Sequence, residues 1–152
     1  MTRILAALLL CLWVIASPAQ ATTVVRTSQT ADQEIPQDDI STHPGVPLMP
    51  VTFTLSAKTT VLITVSVRWW PKYPATTCGD RVAFVQIDGT NTEPLQIADS
   101  SPNNLTQLST VFFYARQLTS GQHTVRVIFG GCCGIEGHPF YVGAGSEVQV
   151  IY

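Results

Sequence analysis

The sequence predicts an all-β protein, an antiparallel sandwich of jelly-roll-like form in a single domain behind a signal peptide. Three observations carry this. Apolar and polar residues alternate with period two in segment after segment, and β-branched residues dominate those segments. Turn signals separate them at short intervals. No stretch beyond the first 21 residues holds a helical period, so no helical crossovers are available to build a parallel sheet.

The first 21 residues read as a secretory leader. Arg3 supplies a small positive region, Ile4 to Ile15 is apolar and uncharged, and Ala19-Gln20-Ala21 offers a small-x-small cleavage site. The apolar run is too short to span a bilayer as a helix. Cys11 is preceded by Leu10 rather than a small residue, so it does not read as a lipid-anchoring cysteine. Cleavage after Ala21 is expected, and the mature chain is expected to be secreted or periplasmic, with no membrane span.

Charge is sparse, at 12% of residues against about a quarter in ordinary domains. Without Arg3 the balance is seven basic residues against ten acidic ones. Nothing here draws a phosphate backbone, which argues against nucleic acid as a partner.

Residues 22–50 read as a lead-in rich in Thr, Gln, Asp and Pro, with a short strand at Thr23–Thr27. Its acids, Asp32, Glu34, Asp38 and Asp39, lack the fixed offsets of a calcium loop and read as a solvated face. The sandwich domain proper is expected over 51–152. Val51, Phe53 and Leu55 alternate with Thr52, Thr54 and Ser56; after a turn at Ala57-Lys58, Val61, Ile63, Val65 and Val67 do the same. These two runs are expected to pair as a hairpin. Further strands are expected over Val82–Asp88, Leu95–Ala98, Leu108–Arg116, His123–Phe129, Phe140–Val142 and Glu147–Tyr152. The Leu108–Arg116 run is apolar on both faces and reads as a central strand. Gly121 stands where a turn requires positive φ. Asn104-Leu105-Thr106 is a glycosylation sequon, meaningful only in a eukaryotic secretory route.

Three cysteines follow the leader: Cys78, Cys132 and Cys133. Export places them in an oxidising compartment. Cys78 precedes one strand and the Cys132-Cys133 pair follows another. If those strands are antiparallel, a disulfide from Cys78 to either partner is geometrically easy and stabilises by roughly 3–5 kcal/mol. A vicinal Cys132–Cys133 bridge, eased by Gly130, Gly131 and Gly134, is the strained alternative. A third reading joins Cys78, Cys132, Cys133 and His138 as soft ligands of a metal, without any C-x-x-C spacing to support it. No metal or other cofactor is expected.

For binding, the loop after Val67 is the better lead. Continued alternation puts Trp69 on the buried face and Trp70 on the opposite one. Tyr73 follows between Pro71 and Pro74. Exposed aromatic rings on a rigid loop stack on sugars or anchor a protein interface; a loop that folds back over the core buries them instead. Trp69, Trp70, Tyr73, Asp80 and His138 are therefore the candidate ligand-binding residues, gathered with the cysteines at one end of the sandwich. Catalysis has no motif. His43, His123 and His138, with Asp80, Asp88 and Asp99, form an inventory and not a constellation, and His123 reads as a turn or cross-strand hydrogen-bonder.

One resemblance rests on Leu118, Gly121, His123, Thr124, Val125 and Val127, following Val85, Ile87, Asp88 and Gly89. The pattern resembles the turn-and-strand signature of secreted bacterial β-sandwich domains of uncharacterised function. It is also similar to the penultimate strand of carbohydrate-binding modules of the galactose-binding-like type. The likeness spans Val51 to Tyr152 and implies a binding-loop aromatic, a role open to Trp70 or Tyr73, and a calcium site to which no residue here corresponds. The expected function is non-catalytic binding or assembly at or outside the cell envelope, with a glycan or another extracellular protein as partner. The alternatives are a carbohydrate-binding module and a thiol or metal protein.

Overall fold

The computed structural model describes residues 22–36, 45–72, 81–92, 95–98, 108–131 and 139–152. These residues form eleven strands and, among themselves, no helix. In chain order they are β1 (Val24–Ser28), β2 (Gln33–Ile35), β3 (Val46–Leu55), β4 (Thr59–Pro71), β5 (Arg81–Ile87), β6 (Thr90–Asn91), β7 (Leu95–Ala98), β8 (Leu108–Leu118), β9 (Gly121–Gly131), β10 (Phe140–Val142) and β11 (Glu147–Ile151).

Two antiparallel sheets share them. The first, sheet A, holds β1, β2, β4, β8, β10 and β11; the second, sheet B, holds β3, β5, β6, β7 and β9. The pairings nest. β1 and β2 pair with β11 and β10, β3 with β9, β4 with β8, and β5 with both β6 and β7. First-with-last nesting of this kind is a long antiparallel ribbon rolled into two layers, the jelly-roll form of the sandwich.

The chain from Val24 to Ile35 is built into the sandwich. β1 runs beside β11, and Ile35 of β2 is fully buried. The expected hairpin between the Val51–Leu55 and Val61–Val67 runs does not form. β3 pairs with β9 while β4 pairs with β8, β10 and β11, so the Ala57-Lys58 turn carries the chain from one sheet to the other. Both runs have one apolar face, and facing each other across the core buries those faces as well as pairing side by side.

The core lies between the sheets. Val61, Ile63, Val65, Val67 and Trp69 of β4 face Val51, Phe53 and Leu55 of β3, Val85 of β5, and Val125, Val127 and Phe129 of β9. β3 breaks its own alternation between Leu48 and Val51, where its register with β9 shifts and Met49 adopts a φ of 54°. The bulge turns Met49 inward, into the core. Asp88 (φ 50°) and Gly89 (φ 82°) form the tight turn from β5 to β6, the conformation that an Asp-Gly pair favours.

β8 departs most from expectation. Among the described residues its one neighbour is β4, so it is an edge strand and not a central one. Its inward residues Phe112 and Tyr114 pack on the core. Its outward residues do not: Val111 is 53% exposed and Phe113 67%. Apolar residues on both faces looked central because period two reports alternation and not what covers the second face.

Candidate functional site

The outer face of sheet A holds the chemistry that the core does not explain. β4 presents Leu62, Thr64, Ser66, Arg68 and Trp70 outward, opposite in phase to its buried residues. Register then lays out rows across the sheet. Phe113 pairs with Thr64, which pairs with Gln149, and that with Arg26. Val111 pairs with Ser66, then Glu147, then Ser28. At one corner Ala115, Leu62, Ile151 and Val24 follow one another, an apolar row with both Leu62 and Val24 exposed.

At the other end of the face stands an aromatic and charged cluster. Trp70 and Tyr141 stack with centroids 5.6 Å apart. Trp70 lies against Gly143, where a Cβ would come within 2.5 Å of the indole, so glycine is what leaves room for the ring. The Tyr141 hydroxyl donates to Glu34 at 3.1 Å, and Lys72 Nζ meets both Glu34 oxygens at 2.8 Å. The hydrogen bond from Lys72 is the main reason the Glu34 carboxyl titrates below its ordinary value. Arg68 reaches the Ala144 carbonyl, and the Ala144 N–H donates to Asp32 at 2.9 Å.

A polar staple closes sheet B. His123 is buried, with Nδ1 2.7 Å from Asp88 Oδ2 and Nε2 2.9 Å from the Thr119 carbonyl oxygen. The Thr124 N–H donates to Asp88 Oδ1 at 2.8 Å. Both partners of the imidazole only accept, so a ring with a proton on each nitrogen satisfies both. The hydrogen bond to Asp88 chiefly, then the one to Thr119, holds the His123 pKa above its ordinary value. Partial burial pushes the Asp88 carboxyl up, but the hydrogen bonds from His123 and Thr124 outweigh it and the net shift is downward. This is the cross-strand role expected of His123. A cavity of about 210 Å³ beside the pair, bordered by Asp88, Asn91 and Arg116, falls below the 300–1,000 Å³ of most small-molecule sites.

Of the predicted site residues, the structure describes Trp69 and Trp70, and it sets them on opposite faces of sheet A. Trp69 is a core residue, 3% exposed. As a binding residue it is corrected: its position in β4 points it inward with Val65 and Val67. Trp70 is half-buried on the outer face, as alternation required. Tyr73, Cys78, Asp80, Cys132, Cys133 and His138 lie outside the described residues. Their flanks are described. The Lys72 N–H donates to the Pro139 carbonyl at 3.0 Å, and Arg81 pairs with Gly131. Segments 73–80 and 132–138 therefore depart from and return to adjacent backbone at both of their ends. Among the described residues, no three His, Cys, Asp or Glu side chains gather to hold a metal.

Sequence reasoning missed Val111 and Phe113 as surface residues, and it missed Tyr141 and Glu34 as neighbours of Trp70. The first error follows from taking two-sided apolarity as burial. The second pair comes together only through the pairing of β10 with both β4 and β2.

No protein-family model matches the chain, and no curated protein does. Solved structures do match in shape. The infectious bursal disease virus Gt strain structure superposes with a TM-score of 0.52 at 12% identity, over 87% of this chain and 33% of that one. Dimeric latent PorU from Porphyromonas gingivalis gives 0.50 at 12% identity, over 86% of this chain and 12% of that one. Eiger TNF from S. frugiperda gives 0.47 at 10% identity, over 86% and 91%. This chain spans a third or less of the first two. For the first two, at such identities the likeness is one of fold alone, and it bears on the β-sandwich and not on the galactose-binding-like resemblance.

Proposed function

We propose that this chain is an exported, non-catalytic β-sandwich that works by binding or assembly outside the cell, through the outer face of sheet A. The observation that carries the reading is the exposure of Val111 and Phe113 on an edge strand, beside exposed Leu62 and Val24 on the same face. A grouped apolar surface of this kind marks an interaction site, whereas scattered exposed residues need no explanation. The leader-like first 21 residues and the sparse charge support export. The test is size-exclusion chromatography of the chain from the extracellular fraction of its native host. Wild type should elute in a complex and a Val111→Lys/Phe113→Lys double variant at the mass of one chain. Elution of wild type as a single free chain would overturn the reading.

A second reading is a glycan site on Trp70 and Tyr141, with Glu34, Lys72 and Arg68 as polar neighbours. The stacked pair of rings beside hydrogen-bonding charges favours it. Carbohydrate-dependent retention on a glycan array, lost in Trp70→Ala, supports this reading, and silence across glycans removes it. The cysteines have a structural role in either case. Because segments 73–80 and 132–138 share flanks at both ends, we expect Cys78 to bridge Cys132 or Cys133, read as a linked peptide pair in a non-reduced digest.

A further inference from the structure

Among the described residues the sandwich has four sheet edges, and three of them are blunted. β3 carries Pro47 and Pro50 and a bulge at the left-handed Met49. The β1/β2 edge is two short strands broken at residues 29–32, with Arg26 and Glu34 on it. The β6/β7 edge is two strands of two and four residues. Prolines, charges, bulges and short pieces are the devices by which sheets refuse further strands. β8 has none of them over Leu108–Ala115: LSTVFFYA carries no charge, no proline and no glycine. It is an eleven-residue strand with β4 as its one described neighbour, and Val111 and Phe113 stand exposed beside its outer edge.

We infer that β8 is a self-association edge, and that two copies of this chain pair β8 to β8, antiparallel about a two-fold axis, so that sheet A continues from one sandwich into the other. The inference rests on the proposed reading of the outer face as an assembly surface and names its partner. Three features of β8 select a second copy over an unrelated strand.

The first is charge. The one charged residue of β8 is Arg116. In a register centred on Phe112 it stands opposite Leu108 of the second copy, and in one centred on Phe113 opposite Thr110, so the two arginines lie at opposite ends of the new ladder. Neutral residues meet neutral residues, and no like charges oppose. The second is side-chain pairing. A centre at Phe112 sets Val111 opposite Phe113 of the second copy, twice over on the outer face, an aromatic and β-branched pair of the kind that stabilises antiparallel ladders. The third is closure. A two-fold contact uses the same surface on both copies and ends there. With the other described edges blunted, pairing stops at two and does not propagate into a fibre.

The experiment is sedimentation velocity on the full mature chain over a concentration series. Wild type should double in mass as concentration rises. Phe113→Lys and Val111→Lys, both outward and exposed, should each raise the dissociation constant at least about tenfold, because a lysine on the edge opposes strand addition. Thr52→Lys, outward on the blunted β3, should leave it unchanged. Circular dichroism and thermal unfolding confirm that each variant is folded. A wild type still monomeric at about 1 mM, a dissociation constant worth little affinity, overturns the inference. So does a dimer indifferent to both β8 lysines. So does a pair held covalently through cysteine on a denaturing gel without reductant. If the purified chain is monomeric while the extracellular complex persists and the double variant abolishes it, self-pairing falls and the assembly reading stands.

Discussion

Trp69 and Trp70 are neighbours in one strand and live in different solvents. Trp69 sits among Val65, Val67 and the β9 valines, sealed from water. Trp70, one residue on, lies half-exposed against Gly143 and Tyr141. The same division runs the length of β4, with Val61, Ile63, Val65 and Val67 inside and Leu62, Thr64, Ser66 and Arg68 outside. Packing alone accounts for the inner face. It does not account for the outer one, where hydroxyls would suffice and where the neighbouring strand instead shows Val111 and Phe113 to solvent. The inner residues make the sandwich, and the outer ones are free to serve something beyond it.

Substitutions can sharpen this contrast or break it. The largest expected effect is on the inside: Trp69→Ala should cost about 3–5 kcal/mol, measured by chemical denaturation, from lost burial and an unfilled cavity. A loss below about 1 kcal/mol would mean that the inner face is not the core described above. Gly143→Ala should cost about 2 kcal/mol, because the new methyl meets the Trp70 indole and the ring must move. It should also change the tryptophan emission, which an unconstrained ring would not do.

Sheet B offers a smaller, pH-dependent test. The folded pKa of His123 is raised above 6.5, so its contribution is complete below 6.5 and fades as pH rises through the folded value. That of Asp88 is lowered below 3.8, so its contribution holds above 3.8 and fades as pH falls through the folded value. Stability should therefore decline on the alkaline side by about 1 kcal/mol, the net worth of one hydrogen bond. His123→Gln should flatten that limb in thermal melts taken across pH, and an unchanged limb would sink the staple. Smallest of all, Phe113→Thr should shift stability by no more than about 0.5 kcal/mol, as surface changes do. A larger loss would show that β8's outer face is part of the core after all.

Much of the fold was legible because each strand reports one buried face through period two. Val61 to Trp69, Val82 to Ile87 and Val125 to Phe129 are read directly from alternation. Asp88-Gly89 and Gly121 announced their turns, since positive φ restricts what can stand there. His123 beside Thr124 was legible as a hydrogen-bonder and is one. Pairing was less legible. Val51–Leu55 and Val61–Val67 look like a hairpin because they are close in sequence, but one apolar face on each is met equally well across the core, and their ladder partners, β9 and β8, come from far along the chain. β8 failed for a related reason: alternation does not distinguish a face covered by protein from a face left open. The Trp70 cluster was half legible, one aromatic residue being visible locally and Tyr141 and Glu34 arriving from 71 and 36 positions away in the chain.

By itself the sequence determined that this chain makes β-strands, which side of most of them faces inward, and where the tight turns fall, because those depend on neighbours within a few residues. Tertiary structure alone decided which strands pair, that β8 lies at an edge with its aromatic outer face in water, and that Trp70 meets Tyr141 over Gly143. Those outcomes depend on long-range register. One arrangement of the two sheets buries every inner face at once, and the edges and surfaces left over from it are set by the whole chain together.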